Sequence, residues 1–333
     1  MSEYRISYVV TTYNKLPYLQ QVLGRLVAAR QADEEIVVCD GGSKDGTAAY
    51  LQQLHDAGQI QQFVSEPDKG EAHGFNKGML MARGELIKII TDDDAFHYPS
   101  IRRAAAFMQQ HPEVDVLSGN TGQVMLEDPS YATLYEDVEA NFQRWFDTKE
   151  VIWMIGLPLL IRRKSLALTG LFHTGMVQID TEFTYRITSL KVNIAWSTAM
   201  LAMRIENPQS NFRVMNQGKA ARASEVEAER MRHFYDKQIG TSYLERMKPQ
   251  FGWSEILKRP LRPAKRRLFD VLNIKQYQGF ERMPTGYVPN ANADRLNEAF
   301  RVCDEFMEQF NARRPEEYKF RSQAIDKALQ QLK

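Results

Sequence analysis

The 333-residue chain lacks several features that would settle its class at once. It has only 2 cysteines, Cys39 and Cys303, too few for a disulfide framework. Cys39 lies in the apolar run IVVCD, where a buried thiol in a reducing, cytoplasmic setting is expected. No apolar run approaches the ~20 residues of a membrane span, and the N-terminus MSEYRISYVV has no basic stretch followed by a signal-type apolar one. Internal repeats and low-complexity tracts are absent. The formal net charge is +1, so no overall field draws the chain to nucleic acid. Neither a GxGxxG nor a P-loop signature occurs, which argues against a dinucleotide-dependent dehydrogenase and a P-loop NTPase.

What is present is an alternation. Arg5 to Thr12 reads as a strand and Lys15 to Arg30 as a helix, with Leu16, Leu19, Val22, Leu23 and Leu26 at helical spacing. Ile36 to Asp40 is a second strand. The turn GGSKDGT follows it, with Ser43 placed to cap a helix from Lys44 to His55. A short strand over Gln61 to Ser65, the loop EPDKGE, a helix over Ala72 to Ala82, a strand from Glu85, a helix over Pro99 to Gln110 and a strand over Val114 to Ser118 complete the series. Strands and helices alternating over ~120 residues predict an α/β fold with a mostly parallel sheet flanked by helices. Its strand tips then share one rim, where ligands of such sheets gather.

One stretch on that rim stands out. ELIKIITDDDAF, Glu85 to Phe96, is an apolar strand broken only by Lys88, and it ends in three carboxylates, Asp92, Asp93 and Asp94. Three adjacent acids repel, and a hard divalent cation, Mg²⁺ or Mn²⁺ shared with substrate phosphates, is the usual offset. The competing reading is a polar loop with a capping Asp ahead of the helix that Pro99 can start.

The ordered blocks VVTTYN (Val9 to Asn14), VVCDGGSKDGT (Val37 to Thr47), EPDKGEAHGFNKGMLMARGE (Glu66 to Glu85) and TDDDAF (Thr91 to Phe96) resemble the inverting glycosyltransferases of family 2, of bacterial polysaccharide type. The resemblance covers roughly the first 210 residues. It implies the GT-A fold, a Rossmann-like nucleotide-sugar-binding domain. Carried over by position, it implies that Thr11 and Tyr13 line the base pocket and that Asp40 accepts a hydrogen bond from a uracil-like N–H, with Ser43 beside it. Lys69 and Asn76 would face ribose and phosphates, and Asp92 the ribose. Asp93 would be the main ligand of Mn²⁺ or Mg²⁺, with Asp94 in support. Thr91 stands where many relatives carry Asp. Tyr13 is otherwise an ordinary turn aromatic, Lys69 a solvated loop charge, and Asp40 a capping residue.

Beyond Asn120 the pattern loosens. Tyr131 to Trp145, aromatic and acidic, reads as a satellite core in preference to a cover over an acceptor cleft. Leu159 to Ile161 is a strand, RRKS a turn and Gly170-Leu171-Phe172 a second turn. Asp180-Thr181-Glu182 is an acidic motif like the D-x-E/D of relatives. Inverting transfer needs a carboxylate to take the acceptor hydroxyl's proton. Asp180 is the expected base and Glu182 the second choice, while a plain helix cap is the competing role for Asp180. Where relatives carry a His-Pro turn, this chain has Glu206-Asn207-Pro208, with Asn207, Arg204 and Arg213 as candidate substitutes.

The expected organisation is a catalytic domain over residues 1–215 and a mainly helical extension over 216–333. Lys258 to Arg267, KRPLRPAKRR, carries six basic residues and no acid. It reads either as a solvated loop or as a peripheral contact with the anionic inner face of a cell membrane. The expected partners are a nucleotide-diphosphate sugar, most simply UDP-linked, and a saccharide or lipid-linked acceptor, with no nucleic acid. Two rivals remain: a catalytically inactive sugar-nucleotide-binding module, and a sugar nucleotidyltransferase, which would need a basic Gly-rich loop that TTYNK hardly supplies.

Overall fold

Strand β1 (Tyr4–Thr12) is buried on both faces. Ile6, Tyr8 and Val10 enter one apolar cluster, and Val9 enters another. Near-continuous apolar strands of this kind need cover on both sides. In this computed structural model, which describes residues 3–148, 151–190, 192–210, 218–235, 280–289 and 294–321, that cover is helical. Helix α1 (Leu16–Ala29) buries Leu19, Val22, Leu23 and Leu26. It leads to β2 (Glu34–Asp40), then α2 (Thr47–Asp56), β3 (Gln62–Ser65), α3 (Glu71–Met81) and β4 (Gly84–Ile90). β1 pairs in parallel with both β2 and β4, and β2 with β3. Helix α3 lies very close to β1. A Cβ at Gly74 would come within 2.2 Å of Thr11 Oγ1, and one at Gly78 within 2.3 Å of Val9 Cγ1, so no larger residue fits that seam.

The expected cap at Ser43 is not formed. Helix α2 starts later, after Gly46 at φ +96°, and Asp45 accepts from the Thr47 N–H and hydroxyl. The Ser43 hydroxyl is already committed to Asp40.

After β4 come β5 (Ala95–Phe96), α4 (Tyr98–Gln110), β6 (Val116–Met125), β7 (Tyr131–Tyr135), α5 (Glu136–Thr148), β8 (Leu160–Arg162), α6 (Leu166–Thr169), α7 (Ile179–Ser189) and β9 (Ile194–Glu206). The described C-terminal elements are α8 (Gly218–Tyr235), β10 (Phe280–Pro284), α9 (Arg295–Arg313) and β11 (Tyr318–Lys319). The main path of the sheet runs β10-β7-β6-β8-β4-β1-β2-β3, with β9 beside β6 and carrying β5 and β11. The half from β3 to β4 is parallel. β8, β7, β10, β5 and β11 all pair antiparallel, so the expected parallel sheet is parallel at the rim and mixed beyond it. The Tyr131 to Trp145 stretch contributes to the core, as favoured, although Tyr131 itself is exposed: Phe142 and Trp145 are buried, and Phe142 stacks on Trp196 with ring centroids 5.2 Å apart.

The sheet runs across the division expected at residue 215. β10 pairs with β7, β11 pairs with β9, and α9 buries Phe300, Cys303, Phe306 and Met307 in the cluster that holds Leu19 and Leu23. Those α9 residues recur at helical spacing, so a helix distant in sequence completes the core beside α1. The segment Lys258 to Arg267 lies outside the described residues, as does Arg213. No described helix is long and apolar enough to cross a membrane.

Opposite the rim, Glu34 is fully buried at the start of β2. It accepts bonds from Arg102 at 2.8 and 2.9 Å and from the Gln31 N–H at 2.9 Å. Burial pushes its carboxyl up, but Arg102 and the Gln31 amide outweigh burial and hold it below the usual range. A carboxyl lowered on folding stabilises above its unfolded value of ~4.3, and that stability is lost as pH falls through the folded value. Glu34→Gln is therefore expected to cost about 3 kcal/mol at neutral pH. The gap to wild type should close in acid, as read from urea melts at pH 7 and below ~4.

Candidate active site

The carboxyl ends of β1, β2 and β4 lie side by side, which brings most of the expected residues to one rim. The turn after β1 is laced to the turn after β2. The Asn14 N–H donates to Ser43 Oγ at 2.7 Å, and the Lys44 N–H to Asn14 Oδ1 at 2.8 Å, with Asn14 at φ +51°. Asp40 is fully buried and accepts from the Ser43 hydroxyl at 2.5 Å, the Ser65 hydroxyl at 2.6 Å and the Ser43 N–H at 3.1 Å. Its oxygens are occupied by protein donors, so a base N–H would have to share or displace one of them. Tyr13 is 60% exposed on the same rim, while Thr11 is buried against Gly74 of α3. Lys69 is exposed. Asn76 is not at the rim surface: its amide donates to Phe172 O at 2.8 Å and accepts from the Phe172 N–H at 2.9 Å. It pins the turn after α6 instead of facing ribose or phosphate, because a buried amide with both ends paired costs least there.

The three aspartates diverge. Asp92 accepts from the Thr12 hydroxyl at 2.8 Å. The Lys15 ammonium lies 3.3 Å from Asp92 and 2.7 Å from Asp93. Burial, then the neighbouring Asp93, pushes Asp92 up to about 6. Burial would lower Lys15, but Asp92 and Asp93 more than offset it and hold the ammonium above the usual lysine range. Asp93 also accepts from Asn207 Nδ2 at 3.1 Å, so this candidate substitute for the missing His reaches the cluster. Arg204 pairs with Glu206. Asp94 turns away, accepting from the Ile205 N–H at 2.9 Å and the Thr91 hydroxyl at 2.7 Å. It braces the acidic loop against β9 and does not converge with the other two. Of the roles expected for Asp94, the geometry is that of a supporting residue and not of a direct ligand.

Among the described residues no three His, Cys, Asp or Glu side chains converge on a point. An all-protein cage is thus absent there. A pair of carboxylates balanced by one ammonium still fits Mg²⁺ or Mn²⁺, ions that keep waters and take further ligands from substrate phosphates. Asp93, with Asp92 beside it, would be the donor set. Lys15 was missed in the sequence because it opens α1 and reads as a helix-start residue. The signal that could have found it is the charge of the cluster itself, which demands a cation within reach.

The two acids of the D-x-E motif differ sharply. Asp180 sits in the first turn of α7, behind Gln178 at the cap position, so the cap role is not its own. It accepts from the Gly156 N–H at 3.2 Å and the Thr181 N–H at 2.8 Å, and burial, only partly offset by these bonds, raises its carboxyl. Glu182 is buried and spent. Arg186 binds both its oxygens at 2.9 and 2.8 Å, and the Tyr235 hydroxyl donates to it at 2.5 Å. Burial pushes Glu182 up, and Arg186 and Tyr235 more than reverse that, so it is a poorer proton acceptor than Asp180.

The fold is an α/β one with a largely parallel central sheet and acids and turns gathered at one rim, and residues 7–167 match the model of Glycosyl transferase family 2. The chain thus carries a family 2 glycosyltransferase domain. It is 25% identical over 141 residues to an uncharacterized glycosyltransferase of Nostoc sp., covering 40% of this chain and 44% of that one. It is 30% identical over 92 residues to a GalNAc(5)-diNAcBac-PP-undecaprenol beta-1,3-glucosyltransferase of Campylobacter jejuni, covering 27% and 30%. The match therefore spans less than half the length of either relative. In fold it is similar to a mannosyltransferase of Pyrobaculum calidifontis solved with GDP-Man and Mn²⁺: TM-score 0.52, 18% identity, 67% of this chain and 62% of that one.

Glu182→Ala, which strands Arg186 in a buried site, is expected to cost about 3 kcal/mol. Asp180→Asn keeps one acceptor and should cost about 1 kcal/mol or less. Urea melts of both variants against wild type check the contrast.

Proposed function

We propose that the protein is a metal-dependent inverting glycosyltransferase that moves a sugar from a UDP-linked donor to a hydroxyl of a saccharide or lipid-linked acceptor. The observation that carries this is the pair Asp92–Asp93 at the parallel rim beside the β1 and β2 turns, with Asp180 of α7 bonded to Gly156, whose neighbour Leu157 accepts from Lys88 of β4. In this reading Tyr13, exposed on the rim, offers an apolar face to the base. Thr11, Asp40 and Ser43 shape the base pocket, Lys69 reaches toward the phosphates, and Asp92 meets the ribose. Asp93, with Asp92, would hold Mn²⁺ or Mg²⁺, whose positive charge would offset the negative charge growing on the leaving diphosphate.

The chain's own chemistry is proton removal and orientation. The acceptor oxygen forms its bond to the anomeric carbon as the bond to the nucleotide diphosphate breaks, and the diphosphate leaves with the bonding pair. The acceptor proton passes to the Asp180 carboxylate, whose raised affinity for a proton suits a general base. The saccharide or polyprenol-linked class of acceptor, and a place in polysaccharide assembly at the cell envelope, are supported by the names of relatives. One is a Campylobacter enzyme named for an undecaprenol-linked saccharide, another a poly-beta-1,6-N-acetyl-D-glucosamine synthase of Staphylococcus epidermidis.

Melting temperatures with UDP, GDP, dTDP or CDP, each with and without Mn²⁺, test the donor site. UDP with Mn²⁺ is expected to stabilise by about 2.7 kcal/mol at a hundredfold excess over its dissociation constant, and Asp93→Ala should abolish the gain. Asp180→Asn should keep that shift and slow transfer by about 100-fold or more. If no nucleotide shifts the wild type under any condition, the donor-site assignment falls.

A further inference from the structure

Lys88 is the one polar residue inside the buried run of β4, and it is fully inaccessible. Among the described residues it has no carboxylate partner at ion-pair distance. Its Nζ donates to Ile89 O at 2.7 Å and Leu157 O at 2.6 Å, and lies 4.8 Å from the centroid of the Phe96 ring. Burial pulls the amine down to about 7, which the charge of Asp94 only partly offsets. An apolar residue would cost less at such a position, so what Lys88 holds matters.

It holds the end of a ladder. The segment from Ile152 to Gly156 runs antiparallel along one face of α7, and every second residue meets a side chain four positions earlier in the helix. Thr188 bonds Ile152 N–H and O at 3.3 and 3.1 Å. Thr184 bonds Met154 N–H and O at 3.2 and 3.1 Å. Asp180 accepts from the Gly156 N–H at 3.2 Å. The spacings agree, since four helical residues rise ~6.0 Å and two extended residues span ~6.6 Å. Asp180 is the last rung. Gly156 is required there, because a Cβ would lie 2.4 Å from Asp180 Cβ. The next residue, Leu157, is the one Lys88 grips. β8 then returns beside β4, with Leu160 opposite Lys88.

We infer that Lys88 is a positioning residue: through Leu157 and Gly156 it fixes the Asp180 carboxylate relative to the Asp92–Asp93 strand end. The inference rests on Asp180 being the base, and it assigns Lys88 no contact with substrate. Neutral or charged, the amine donates to both carbonyls, so the tie does not depend on its protonation.

The test is hydrogen–deuterium exchange on full-length wild type, Lys88→Met and Lys88→Gln, read over residues 152–158, 179–183 and, as a control, 4–12. Expected in Lys88→Met is an exchange rate about 10-fold higher in the first two segments with the control unchanged. Lys88→Gln, whose amide still donates, should lie between; it also decides the matter alone if Lys88→Met does not fold. Unchanged exchange over 152–158 overturns the tie, and so does an equal rise in the control strand, which would make Lys88 a general core residue. The kinetic arm uses UDP-GlcNAc with Mn²⁺. Lys88→Met should lower turnover to UDP by about 10-fold or more with donor KM within about twofold. An increase in KM alone overturns the positioning role. Absence of any UDP shift or turnover in wild type counts against the proposed function, while the exchange result still decides whether the tie exists.

Discussion

Two neighbouring carboxylates at the end of a buried strand, with one lysine ammonium between them, set the terms for this rim. Such a pair is stable only if cations and donors reach it from several elements. They do so from two directions. Lys15 and Thr12 come from the β1 turn, Asn207 from the end of β9, and the Ile205 N–H takes Asp94 out of the cluster. The acids therefore do more than wait for a ligand: they tie the parallel half of the sheet to β9, the strand that organises the mixed half. A cation that entered here would compete with Lys15, and phosphates arriving with it would offer the displaced ammonium a new partner.

The rim was legible because parallel strands give simple signals. Apolar runs such as YVVTT and IVVCD can only be inner strands, and the polar turns that follow must share an edge. Element ends shifted by a residue or more where a side chain outbid the expected cap. Asp45, not Ser43, closes the start of α2, because Ser43 is held by Asp40. The roles of Asn76 and Asp94 were less legible for the same reason. Each looks like a free polar group in sequence, and each is consumed by a backbone partner far along the chain, Phe172 and Ile205 respectively.

The C-terminal elements were the least legible. Periodicity finds α9 but cannot say which surface it covers, and two- or five-residue strands such as β11 and β10 carry no alternation long enough to read. Their pairing is decided by edges left open elsewhere, on β9 and β7. Arg102 and Arg162 make the same point inside the domain. They look like helix-face and turn charges, yet they bind Glu34 and the carbonyls of Val114 and Met108.

The acidic motif of α7 shows how one helical turn can hold two carboxylates for different purposes. Asp180 and Glu182 are two residues apart and so point in different directions. Glu182 faces Arg186 and, across to α8, Tyr235; Arg186 continues to the carbonyls of Thr169 and Leu171, closing the turn that Asn76 also grips. That network lowers the proton affinity of Glu182 and orders the helix start. Asp180, by contrast, has two backbone amides and no cation, so burial dominates and its proton affinity rises. Sequence alone can rank such a pair only by analogy. What separates them is the ladder of Thr188, Thr184 and Asp180, which spends two hydroxyls on alignment and leaves a carboxylate as the last rung, on the Gly156 N–H.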